Sequence, residues 1–204
     1  MLQSLSILGG LVLGASLLLP GPAPTASSTS VEGAWTIDGV HSTALFSAVH
    51  FGASRFYGRF NDFGGTIEFD PAKPEEAKIE FELKVDSVDT NDAKRDQHLR
   101  GPDFFSSKEF ETATFKSSAV KVARKAADDQ PLMLEVTGEL ELAGKKREVT
   151  AMVEQVGMGP GMRGGELVGF EARFTIQRSD FGIDYMLSGL SDDVQLILSV
   201  EAGR

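Results

Sequence analysis

The 204 residues carry 20 Lys and Arg against 30 Asp and Glu, a formal net charge of −10, with three His and no Cys. The missing Cys excludes disulfides, thiolate metal sites, Cys nucleophiles and a lipid-modified N-terminal Cys, and the acidic balance argues against nucleic acid, which draws on clustered Lys and Arg. The length suits one barrel or sandwich domain, or two small ones, and 14 Phe against one Trp and two Tyr imply an unusually apolar interior.

From Met1 to Val31 no side chain is charged; Glu32 is the first. Leu5 to Leu19 is an apolar run, shorter than the roughly 20 residues of a membrane-spanning helix. Pro20, Gly21, Pro22, Pro24 and a Ser/Thr cluster to Ser30 follow it. An apolar run before a small, polar stretch is the layout of a secretory signal peptide, here without a basic start; Ala26 at −3 places cleavage near Ser28. Residues 1–30 are therefore expected to be a leader and linker, and 31–204 the folded domain of an exported protein.

The remainder predicts strands. In Thr43–Phe51, Ala44, Phe46, Ala48 and His50 share one face. Phe60, Phe63, Gly65, Ile67 and Phe69 continue the alternation after a one-residue slip at Asn61-Asp62, the mark of a bulge or bend. Lys78–Val85 alternates cleanly, with Ile79, Phe81, Leu83 and Val85 inward and charges outward. A polar segment, Asn91–Arg100, predicts a short helix with Thr90 as N-cap and Gly101-Pro102 as its stop. Strands are expected over Ala113–Val122, Leu132–Leu142, Arg147–Val156, Glu166–Gln177 and Asp193–Glu201, with the Gly-rich tract Gly157–Gly165 as a turn. About eight long strands predict an all-β fold, an eight-stranded antiparallel barrel with a short helix across one end.

Common hydrolase signals are missing: there is no G-x-S-x-G elbow and no S-x-x-K. Gly159–Gly164 fits G-x-G-x-x-G, but it precedes a strand where a diphosphate site needs a helix N-terminus. His41, His50 and His98 lack zinc spacing, so no metal is expected. His50, ending an apolar face, reads as a buried His or a polar ligand contact. The Phe set admits two readings, a filled core or an apolar cavity for one small ligand. Small residues at apparent inward positions (Ala44, Ala48, Gly58, Gly65, Ala172) fit a channel, but alternation does not separate the two.

Trp35-Thr36-Ile37-Asp38, His41-Ser42, Phe46 and His50 resemble the opening W-x-I-D-x-x-H-S…F…H of the YceI-like, polyisoprenoid-binding family. Gly58-x-Phe60, Gly65-x-Ile67-x-Phe69-Asp70, Ser87-Val88-x-Thr90, His98-Leu99 and Asp103-Phe104-Phe105 continue it in order. Phe115-x-Ser117, Gly138-x-Leu140, Arg178-x-Asp180-Phe181-Gly182 and Val194-x-Leu196 complete it. Two departures are Thr112-Ala113-Thr114, where the family often has Pro before its T-F, and the uncharged leader.

The resemblance implies a lipocalin-like barrel, exported to the periplasm and often dimeric. It also implies a tunnel holding a long isoprenoid, such as a polyprenyl diphosphate or a quinone tail, with no cofactor and no established reaction. The expected tunnel positions are Ala44, Phe46, Ala48, His50, Gly58, Phe60, Phe63 and Ile67 from the first half of the sheet. Phe81, Leu83, Val85, Phe104, Phe105, Phe174 and Leu196 complete the set. Arg55, Arg59, Lys94, Arg95, His98 and Arg100 are the nearest basic cluster for a head group. An enzyme on the same barrel, with His50 or His98 as base, and a filled-core interaction or stress protein are the alternatives.

Overall fold

The computed structural model describes residues 33–162 and 164–204; the expected leader lies outside the described residues. Eleven strands and one helix follow in order: β1 (Trp35–Ile37), β2 (Thr43–His50), β3 (Ser54–Phe60), β4 (Phe63–Glu68), β5 (Lys78–Lys84), β6 (Val88–Asp89), α1 (Ala93–Leu99), β7 (Thr112–Arg124), β8 (Met133–Leu142), β9 (Lys145–Pro160), β10 (Glu166–Gln177) and β11 (Asp193–Gly203).

All pairings are antiparallel and the sheet closes on itself, because β1 pairs with β4 on one side and β11 on the other. β1 and β2 lie end to end along β11, β3 and β4 along β2 and β1, and β5 and β6 along β4 and β3. Each pair is one strand broken in the middle, so the eleven segments make an eight-stranded barrel. The expected slip at Asn61-Asp62 is the β3/β4 break. The chain enters at Trp35 and leaves at Arg204 at one end of the barrel, the terminal end. The β2–β3 turn, α1, the β8–β9 turn and the β10–β11 connection gather at the other, the helix end.

Inward faces follow the two-residue period. In β5 the partly buried residues are Ile79, Phe81 and Leu83, while Lys78, Glu80, Glu82 and Lys84 are exposed. Trp35 closes the terminal end: it is fully buried, its Nε1 donates to the Phe69 carbonyl at 3.1 Å, and the Arg204 guanidinium lies 4.1 Å above its ring.

Two local expectations need correction, and one strand was not anticipated. The N-cap of α1 is Asp92, whose side chain accepts from the Lys94 and Arg95 amides. Thr90 is instead buried and held by Asp96, which accepts from both its amide and its hydroxyl. Gly157–Gly165 is not all turn, since β9 stays paired with β10 out to Pro160. Finally, Trp35–Ile37 is a strand, three residues being too short for its alternation to announce it.

Candidate functional site

Two cavities lie inside the barrel, one toward each end. The first offers about 130 Å³ to the centre of a water molecule and is walled by every layer of the terminal half, including Ile67, Phe81, Phe115, Leu134, Phe170 and Phe174. The second, of about 110 Å³, lies under α1 and the segment after it, among Phe46, Ala48, Leu99, Phe104, Phe105 and Leu190. Phe60, Leu83, Ala113, Leu140 and Leu196 line both, so the chambers meet at a shared waist. No polar surface faces either one.

Two glycines let large rings lie flat against the wall. A Cβ on Gly58 would stand 2.3 Å from Phe46 Cζ, and one on Gly138 2.5 Å from Phe115 Cζ. Gly58 therefore shapes the interior by admitting the Phe46 ring and does not itself border the open space.

The structure brings Ala44, Phe60, Ile67, Phe81, Leu83, Phe174 and Leu196 to the first chamber and Phe46, Ala48, Phe104 and Phe105 to the second. Four expected positions lie elsewhere. Besides Gly58, Phe63 stacks behind Phe81, with ring centroids 5.6 Å apart. Val85 is buried beside Ala113, Leu142 and Phe181, behind the lining. His50 ends β2 at the rim, exposed, its ring edge-on to Phe51; it is not the buried His its strand position predicts.

Of the basic cluster, Lys94, Arg95 and His98 belong to α1 and Arg100 to its C-cap, whereas Arg55 and Arg59 lie on β3, and most of the six hold protein partners. Arg95 donates to the Thr90 hydroxyl at 2.7 Å and carbonyl at 2.6 Å, and Arg100 to the Asp86 and Val88 carbonyls, each at 2.8 Å. Arg55 reaches Ser47 Oγ at 3.2 Å, Arg59 pairs with Asp89 at 3.4 Å and His98 Nε2 lies 2.8 Å from Asp103. Lys94 is exposed on α1. One cation was not anticipated: Arg178, only 4% exposed, borders the second chamber. It donates to the carbonyls of Ile183, Tyr185, Leu190 and Ser191 at 2.8–2.9 Å. Burial pushes its pKa down, opposed by Asp192 and Asp184.

On the outer wall, Asp38, His41 and Glu201 bring three possible ligand atoms within 4.8 Å of one another, in an exposed position. Their place in the fold explains them. Asp38 accepts from His41 at 2.8 Å and from the Val40 amide, and Ser42 Oγ accepts from the Glu201 amide at 2.9 Å. The group fastens the β1/β2 break to β11. The Asp38 hydrogen bond raises the His41 pKa, with Glu201 adding to it, and the same bond lowers that of Asp38.

A closed barrel with a two-chambered apolar interior, on a chain whose motifs run in this order, is matched by the YceI-like domain model over residues 35–202. The chain belongs to the YceI-like family. It is 39% identical to a UPF0312 protein of Pseudomonas aeruginosa over 199 residues, covering 97% of each chain. Among solved structures, Burkholderia cenocepacia BcnA superposes with a TM-score of 0.70 at 26% identity, over 81% of this chain and 99% of that one. A polyisoprenoid binding domain from Saccharophagus degradans gives 0.63 at 14% identity, over 83% and 97%, a likeness of fold.

Within this YceI-like barrel, much of the first chamber was not anticipated from the sequence, including Phe115, Leu134, Val136, Val153 and Phe170. The signal was present, since Leu134, Val136, Leu140 and Leu142 alternate along β8, with Gly138 at the one inward place that lacks a side chain. Arg178 was visible only as part of a motif; nothing local marks a strand-end arginine as the hub of a loop.

Proposed function

We propose that this protein is a binding protein that encloses a long apolar chain, of isoprenoid type, for carriage, storage or protection in an exported compartment. The observation that carries the reading is the pair of chambers meeting at an apolar waist, with no polar surface on either. Such a space takes a branched hydrocarbon chain and offers nothing to a polar substrate: each methylene-sized group buried contributes about 0.8 kcal/mol, so about ten contribute about 8 kcal/mol before the costs of ordering the chain. The neighbour from Saccharophagus degradans, described as polyisoprenoid binding, supports the same class of cargo. A head group would sit at the helix end, near Lys94 and His98. His50 and His98, the candidate bases for a reaction, both stand at the exposed helix end, outside the chambers.

The test is native mass spectrometry of protein purified without detergent, followed by organic extraction. A lipid near one per chain, released as a polyprenyl compound, is the expected result. A lipid-free mass with no uptake of added polyprenol would overturn the proposal.

A further inference from the structure

The β10–β11 connection has two faces. Its ends, Ile183 and Leu190, are buried and line the second chamber, while Tyr185, Met186 and Leu187 are 41%, 37% and 46% exposed. Phe51, in the neighbouring β2–β3 turn, is 65% exposed and joins the same patch: its amide donates to the Gly189 carbonyl at 2.7 Å. A Cβ on Gly189 would lie 2.8 Å from the Phe51 ring and 3.4 Å from Met186 Cγ, so these two side chains converge there. Tyr185 extends the patch to α1 through His98 and Phe104, with ring centroids 5.2 and 5.5 Å away.

This exposure is built. Arg178 pins the connection through three of its carbonyls and that of Ser191. Phe51 and Met186 both hold left-handed backbone, φ 49° and 54°, which costs free energy in a non-glycine residue, and both point an apolar side chain toward water. Few side chains are involved, far fewer than the roughly 20–30 residues a side of a stable protein interface. A lipid surface, by contrast, takes up a few inserted aromatic and aliphatic side chains with polar tips at headgroup level. The flank carries one exposed cation for a phosphate, Lys94, one helical turn from His98 on the same side of α1; His98 itself packs on Tyr185 and pairs with Asp103.

We propose that the helix end docks on the surface of a zwitterionic phospholipid bilayer, with Phe51, Tyr185, Met186 and Leu187 inserted and Lys94 at phosphate level. This rests on the proposed function in one respect: the docked loop is also the wall of a lipid chamber, and so the site of cargo exchange. Insertion drives the contact, because a chain of net charge −10 gains nothing from an anionic surface at long range.

The experiment is flotation of the full chain with phosphatidylcholine vesicles, at low and high salt, alongside native mass spectrometry of cargo. Wild type is expected to float at both salt levels. Met186→Glu and Leu187→Glu, both at exposed sites, are each expected to weaken binding about tenfold or more while keeping fold and cargo. Met158→Glu, an equally exposed apolar site at the far end of β9, is expected to float as wild type. Equal loss in all three variants, or none in the two loop variants, overturns the proposal; so does a vesicle-free dimer that those variants dissolve. Flotation by a protein that proves free of cargo would leave docking standing and remove the cargo reading.

Discussion

Ala172→Phe separates an open interior from a filled one. Ala172 sits in the middle of β10, opposite Val153 and Leu198, and all three line the first chamber. Phenylalanine there adds a six-carbon ring, enough to displace about one five-carbon isoprene unit from a chain threaded past it. At about 0.8 kcal/mol per methylene-sized group, the lost burial is about 4 kcal/mol, an affinity drop of about a thousandfold. The fold itself should be nearly unaffected, because the ring enters existing space; in a packed interior the same change costs about 1–3 kcal/mol. Affinity for polyprenols of graded length, measured by competition with a fluorescent chain, gives the first quantity, and urea unfolding the second. An unchanged affinity at every length, or an unfolding midpoint lowered as overpacking requires, refutes the reasoning.

Further outcomes follow from other parts of the molecule. Gly58→Ala places a Cβ 2.3 Å from Phe46 Cζ and 2.8 Å from Thr90 Cγ2; it should destabilise by about 1–3 kcal/mol in urea, with part of the loss restored by adding Phe46→Leu. Arg178→Met leaves the buried Ile183 and Leu190 carbonyls without a donor, at about 1–3 kcal/mol each. Hydrogen exchange at the Leu190 amide should speed up markedly, and wild-type protection there would show that the arginine does not hold the loop. At the outer seam, the His41 pKa lies above its ordinary 6.5, so its contribution to stability is complete below that value and is lost as pH rises through the folded pKa. Asp38, lowered from 3.8, contributes above that value and loses its contribution as pH falls through its folded pKa. Asp38→Asn should bring the His41 midpoint down in an NMR titration; a midpoint that stays put would assign the shift to Glu201 alone.

The barrel was legible wherever one face of a strand is wet and the other dry. β5 shows this residue by residue, and β10 was bounded to the residue. Legibility failed where strand ends meet something other than the barrel. His50 has the parity of an inward residue, but it is the last of β2 and the wall has ended by then. Val85 likewise follows the end of β5 and packs with Ala113, Leu142 and Phe181, and Phe63 is stacked against Phe81 at the β3/β4 break. Thr90 and Asp92 are both good N-caps in isolation, and the choice fell to Asp96, a residue of α1 itself that takes up the Thr90 amide and hydroxyl. In each case period and propensity were read correctly, and what decided the outcome lay beyond the alternation of the strand or the cap preference of the residue.

The way the ring closes bears on how anything comes to be inside it. Strands β7 to β10 are joined by short connections and assemble from neighbours in the chain, whereas closure pairs Thr36 with Gly203 and brings together residues from nearly the two extremes of the described chain. Such a contact carries the largest loop-closure entropy in the molecule and is expected late in folding. Until it forms, the sheet has two bare edges and its apolar face is wet. Ring closure and drying of the interior are then a single event, made by β1 and β2 laid end to end along β11. A hydrocarbon chain lying on the open sheet would lower the free energy of that event directly, so the proposed cargo would be wrapped during folding instead of threaded afterwards.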